Sequence, residues 1–67
     1  MAKPHFSSAR LADMRVQRLL SQETLAYRAN LSVATISRLE RGLGQPRLST
    51  IRKLAEALQV ESEELLK

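Results

Sequence analysis

Apolar residues recur along the chain at spacings of three and four, and each set opens with the same short phrase. An apolar residue precedes a serine, and a second apolar residue follows four positions after that serine. Phe6-Ser7 leads to Leu11, Leu20-Ser21 to Leu25, and Leu31-Ser32 to Ile36. This is the punctuation of a helix start. The serine oxygen accepts from a backbone N–H that the first turn leaves unpaired, and the flanking apolar pair closes over it. Val60-Glu61 repeats the spacing to Leu65 with a weaker cap. Pro46 disfavours helix at the residue before it, so a further helix begins near Arg47 to Ser49 and carries Ile51, Leu54, Ala55 and Leu58 on one face. The pattern predicts five short helices, over about 7–19, 21–29, 32–41, 48–57 and 61–66. The alternation of β-branched and aromatic residues that marks strands is absent, so the expected fold class is all-α.

The second and third helices are joined by Asn30-Leu31-Ser32 alone. A turn this short needs a residue in the left-handed region, and asparagine enters it more readily than other non-glycine residues. Leu31 is then directed inward and Ser32 caps the next helix. Helices joined this way cross steeply and need a small residue at the contact, and Ala26 stands one turn before the connection. In the third helix, Ile36, Leu39 and Glu40 share one face, while Ala34, Ser37, Arg38 and Arg41 share the other. Val33 and Thr35 flank the helix start.

These residues carry a resemblance. The spacing of Leu25, Ala26, Ala29, Asn30, Leu31, Ile36 and Leu39 resembles the helix-turn-helix of the phage repressor/Cro family, also called the XRE family. "SQETLA" is similar to that family's helix 2, "ISRLERG" to its helix 3 exit, and "LAEALQV" to its helix 4 and following turn. The likeness extends over nearly the whole chain. Each motif alone is weak, and their order and spacing make them specific. Two positions depart from the pattern: Asn30 stands where the family commonly has glycine at the turn, and Leu19 where a helix-ending glycine is common. The resemblance implies a compact five-helix lambda-repressor-like domain over residues 7–67, behind a short N-terminal arm of residues 1–6, with helices 2 and 3 forming the helix-turn-helix.

The resemblance also implies roles. Helix 3 lies in the major groove of double-stranded DNA, which is possible only when its outward side chains leave room. Val33, Ala34, Ser37 and Arg38 face the bases, with Arg38 the main reader, bidentate to guanine. Gln22, Thr35, Arg41 and Arg47 hold the DNA backbone, Gln22 at a helix N-terminus where the dipole favours a phosphate. The loop "RGLGQPR" lies along that backbone. Arg15, beside Leu11 and Met14 on helix 1, pairs with Glu40 in a structural salt bridge. A homodimer on a two-fold symmetric site is implied, with the helix 5 region, Val60, Leu65 and Leu66, as its contact surface, although these three residues are equally suited to the core. Lys3 in the arm is a candidate phosphate contact. Tyr27, on the outer side of helix 2, reads first as a partly exposed packing residue and second as a contact to flanking DNA or a partner protein.

Composition narrows the partner and excludes other chemistry. The net charge is +4, and it is uneven: residues 1–47 hold eight Lys/Arg against three acids, and residues 48–67 three against four. A basic front and a near-neutral rear fit an anionic partner on one side. There is no cysteine, so neither a disulfide framework nor a thiolate metal site is available. His5 has no second ligand at a helical or turn spacing, so no metal is expected. It also lacks the nucleophile and orienting group that covalent catalysis needs. Gly42 and Gly44 read as a helix cap and a loop, since no strand precedes them. Glu61, Glu63 and Glu64 stand where acids favour the start of a helix. No apolar run approaches the ~20 residues of a membrane span, and "MAKPHF" has no apolar core behind its lysine.

The expected function is therefore a sequence-specific, repressor-like transcription regulator in the cytoplasm, nucleoid-associated and of bacterial or phage type. It is not an enzyme, and it has no cofactor, membrane or evident small-molecule effector. A restriction-modification controller or an antitoxin-type regulator would use the same domain. A protein-interaction module that has lost DNA binding is opposed by the cations Arg38, Arg41 and Arg47, which it would have no reason to carry.

Overall fold

The computed structural model describes residues 5–66. Four α-helices follow one another: α1 (Ser8–Gln17), α2 (Gln22–Ala29), α3 (Val33–Glu40) and α4 (Leu48–Leu58). A 3-10 turn, Ser62–Leu65, ends the fold. No strand occurs among the described residues. The expected fifth helix is corrected to this single turn. It is four residues long, Glu61 makes no side-chain cap, and its bonds run over three residues, from Glu64 N–H to the Glu61 carbonyl and from Leu66 N–H to that of Glu63. So short a segment cannot offset the entropy of nucleating an α-helix.

Each serine phrase does what its chemistry requires. Ser7 Oγ accepts from Arg10 N–H (3.2 Å), Ser21 Oγ from Thr24 N–H (3.0 Å) and Ser32 Oγ from Thr35 N–H (3.1 Å). The residues that open the phrases, Phe6, Leu20, Leu31 and Val60, pack partly buried against the core, and those that close them, Leu11, Leu25, Ile36 and Leu65, are fully enclosed.

The helix exits repeat a second device. Leu19, Asn30, Gly42 and Gln59 all take left-handed backbone, with φ of 56°, 56°, 76° and 60°. After each, the next N–H reaches back five residues: Leu20 to Arg15, Leu31 to Ala26, Leu43 to Arg38 and Val60 to Ala55. These bonds satisfy carbonyls that the helix end would otherwise leave unpaired. Only Gly42 adopts this conformation without a side-chain clash. The first exit also corrects the expected extent of helix 1, which ends at Gln17 rather than 19 because Leu19 has left the helical region.

The core is one cluster. Leu11 and Met14 come from α1, Leu25, Ala26 and Ala29 from α2, Ile36 and Leu39 from α3, and Ile51, Leu54, Ala55 and Leu58 from α4; Leu65 closes it from the final turn. The alanines on α2 let α3 and α4 approach it closely. Long-range hydrogen bonds fasten the final turn and the end of α4 to α1. Ser7 N–H donates to the Leu65 carbonyl (2.8 Å), the Arg10 guanidinium donates to the Glu64 carboxylate (2.6 Å), and Arg18 Nε donates to the Leu58 carbonyl (2.8 Å). Leu65 is therefore core, which removes it from the expected dimer surface; Val60 and Leu66 remain half-buried.

Candidate nucleic-acid interface

α3 is divided along its length. Ile36 and Leu39 are buried, and Glu40 is turned inward to Arg15. Val33, Ala34, Arg38 and Arg41 are exposed, and Thr35 and Ser37 half-exposed. The exposed face thus presents one valine, one alanine and hydroxyls around a long cation. Nothing on it stands taller than a β-branched side chain apart from the arginines. Thr35 Oγ1 lies 2.9 Å from the Ser32 hydroxyl, which holds it beside the helix start. Arg41 caps the end of α3, and its Nε is directed back to the Ser37 carbonyl (3.4 Å).

The loop after α3 brings Arg47 back alongside it. Between α3 and the start of α4 lies an open cleft of about 430 Å³ whose lining includes Thr35, Arg38, Arg47, Ser49, Thr50 and Lys53, with no carboxylate. Arg38, Arg41 and Arg47 are exposed, and none of them pairs with a described carboxylate. Arg10, Arg15 and Arg18 differ: each side chain is hydrogen-bonded to another part of the chain. Ser49, Thr50 and Lys53 were not singled out from the sequence. The signal that could have found them is positional, since the first turns of α4 follow directly on the loop that carries Arg47.

Behind this surface sits a polar hub. Arg15 Nε donates to Glu40 Oε2 at 2.6 Å and its Nη2 donates to Oε1 at 3.0 Å, while Nη1 holds the Leu20 carbonyl at 2.7 Å. The Gln22 side-chain amide also donates to Glu40 Oε1, at 3.0 Å. The two charged side chains are only 17% and 8% exposed. Burial pushes the Glu40 carboxyl up, and the hydrogen bonds from Arg15 and Gln22, with the Arg15 charge, outweigh it, so the group is held below the usual carboxylate range. The hydrogen bond to Glu40 raises the already high Arg15 value further. Gln22, expected to face a phosphate, thus has its amide engaged with Glu40. Tyr27 departs from the expected packing role: it is 87% exposed. Lys3 lies outside the described residues. No group of residues suited to a metal ion occurs among the described residues, and no described helix is long and apolar enough to cross a membrane.

Comparison with known proteins places this architecture. A family model described as helix-turn-helix matches residues 11–65. The HTH-type transcriptional repressor RghR of Bacillus subtilis is 44% identical over 57 residues, which is 84% of this chain and 42% of that protein. The chain thus spans less than half the length of that curated relative. The restriction-modification controller protein C.AhdI of Aeromonas hydrophila is 41% identical, with a TM-score of 0.84 over 87% of this chain and 88% of that one. The P22 c2 repressor, solved in complex with a synthetic operator, is 28% identical with a TM-score of 0.84 over 90% and 91% of the two chains. SinR, a master regulator for biofilm formation solved in complex with DNA, is 26% identical with a TM-score of 0.86 over 90% and 97%. The serine-capped α2, the left-handed Asn30 and the serine-capped α3 are thus the helix-turn-helix of a recognised family, and this chain belongs to it, in the XRE-type group of phage-repressor and Cro-like domains.

Proposed function

We propose that residues 7–67 form a single domain that binds double-stranded DNA sequence-specifically and regulates transcription, in the manner of a repressor. The observation that carries this reading is the exposed face of α3, where short side chains surround Arg38 beside a carboxylate-free cleft. α3 enters the major groove with Val33, Ala34, Ser37 and Arg38 toward the base edges, Arg38 reading guanine and Val33 approaching a thymine methyl. Thr35, Arg41 and Arg47 hold phosphates on either side, and the cleft between α3 and α4 adds Lys53 and the hydroxyls of Ser49 and Thr50 to that set. Gln22 contributes its backbone N–H at the start of α2 and one side-chain N–H, since its amide carries two donors and Glu40 takes one. The DNA-bound forms of the P22 c2 repressor and SinR, at 28% and 26% identity, support this placement.

One such helix reads too few base pairs for useful discrimination, so the protein acts as a homodimer on a two-fold symmetric operator. The half-buried Val60 and Leu66 are the apolar part of the dimer surface. A DNA reader of this kind works in the cytoplasm, at the nucleoid. The 41% identity to C.AhdI over 88% of its length favours a second reading within the same function, as the controller of a restriction-modification system. Selection from a random duplex library at near-physiological salt tests the proposal. Enrichment of an inverted repeat with half-site centres about one helical turn apart is the expected result. Weak, salt-sensitive binding without enrichment would overturn it.

A further inference from the structure

The turn at Asn30–Ser32 joins the C-terminus of α2 to the N-terminus of α3, so Gln22 and Glu40 occupy the two far ends of the helix-turn-helix. Gln22 is the first residue of α2 and Glu40 the last of α3, and the Gln22 Nε2–Glu40 Oε1 hydrogen bond joins those ends. Glu40 is itself fixed. Its carboxylate is 8% exposed and receives two bonds from Arg15, which in turn grips the Leu20 carbonyl just ahead of α2. We infer that Gln22 is a strut: through its bond to Glu40 it sets the angle between α2 and α3, and so the inclination at which the base-reading side chains meet DNA.

The geometry gives the strut leverage. Eight residues of α-helix span about 12 Å, so a 10° change in crossing angle swings the free end of α3 by about 2 Å. A hydrogen bond to a base edge tolerates a few tenths of an ångström. The α2 N-terminus, where a phosphate is held, and the α3 face, where bases are read, therefore stay in register only while this angle is fixed. Gln22 is a positioning residue, and any phosphate bond from its second N–H tightens the same frame. This rests on the DNA-binding reading for its consequence, but not for its geometry.

The test is Gln22→Met, which keeps the length of the side chain and removes both donors. Without DNA, residual dipolar couplings of backbone amides are expected to show a changed α2–α3 angle in a folded protein. The ratio of affinities for the selected duplex and for random duplex is expected to fall about tenfold. An unchanged angle, with affinity falling equally for all sequences, would overturn the strut and leave Gln22 a phosphate contact only. Should Gln22→Met fail to fold, the unmodified protein decides. A cross-relaxation signal between the Gln22 side-chain amide protons and the Glu40 methylenes is expected, and its absence overturns the proposal. Both DNA-free readouts stand even if the unmodified protein selects no sequence, a result that would count against the DNA reading alone.

Discussion

Replacing Glu40 by glutamine changes one oxygen into an amino group and leaves the shape of the core untouched. In the folded protein that oxygen accepts the shortest bond of the hub, from Arg15 Nε at 2.6 Å. The substitution sets a donor against a donor and leaves the Arg15 charge, 17% exposed, without its counter-charge. Breaking a buried pair from one side costs about 3–5 kcal/mol. The remaining bond from Arg15 to the Leu20 carbonyl and the partial exposure of Arg15 place the expected loss at the lower end, about 3 kcal/mol. In a domain of this size that is a large part of the total stability and lowers Tm by about 15–20 °C. Urea unfolding followed by circular dichroism, at a series of pH values, measures it. The Glu40 carboxyl is held below its usual range in the folded chain, so the unfolded chain takes up its proton first as pH falls. Its contribution is therefore present above the ordinary glutamate value of about 4.3 and is lost as pH drops through the lower folded value. The gap between wild type and Glu40→Gln is expected to be constant from neutrality to about pH 5 and to close below about pH 4. A gap under about 1 kcal/mol would place the pair with exposed surface bridges. A gap that persists unchanged in acid would show that lost packing, and not charge, accounts for it.

Arg38→Ala is expected to weaken binding to the selected duplex by about 1–3 kcal/mol and to relax preference at one position of the half-site; repeating the selection with the variant checks both, and an intact preference would remove Arg38 as the reader. Arg47→Ala is expected to weaken binding to all sequences alike and to flatten the dependence of log K on log salt by about one unit, and titrations at several salt concentrations measure that slope. Leu19→Gly is expected to stabilise the domain by about 0.5–1 kcal/mol, because Leu19 pays the left-handed strain at φ 56° while the residue is 93% exposed and has little packing to lose; thermal unfolding reads the gain.

What the sequence revealed is what neighbouring residues decide. The caps at Ser7, Ser21 and Ser32 each involve an N–H three positions away, so the phrase that encodes them is complete within a few residues. The turn at Asn30 is equally local, because the preference of asparagine for left-handed backbone belongs to that residue alone. Leu19 carries no such preference. Its conformation is imposed by the need to bury Leu20 and start α2, which a leucine side chain does not advertise. The engagements of Arg10 with Glu64 and of Arg18 with the Leu58 carbonyl span 54 and 40 positions, and nothing local distinguishes these arginines from solvated ones. The family resemblance, with the dipole of a helix start, points Gln22 to a phosphate. The carboxylate that takes its amide lies 18 residues away, across an angle only the folded chain defines. Leu65 satisfied the spacing of both a core residue and a surface one, and only the docking of the last turn on α1 decides between them.

The same distinction changes how the charge should be read. The front of the chain is basic by composition, yet three of its arginines are bonded to other parts of the chain: Arg10 to Glu64, Arg15 to Glu40, and Arg18 to a main-chain carbonyl. Their contribution is to hold helices together. Arg10 and Arg15, already paired with carboxylates, neutralise little of a phosphate backbone. On the proposed reading, the cations that meet DNA are those around one surface, with Arg38 on α3, Arg41 at its end, Arg47 in the following loop and Lys53 on α4. Lys53 belongs to the stretch that composition scores as near-neutral. If the proposed reading holds, affinity for DNA is set by which cations the fold leaves unpaired on one face. The hub of Arg15, Glu40 and Gln22 connects stability to that affinity: the residue that closes α3 from within also fixes the helix whose outer side carries Arg38.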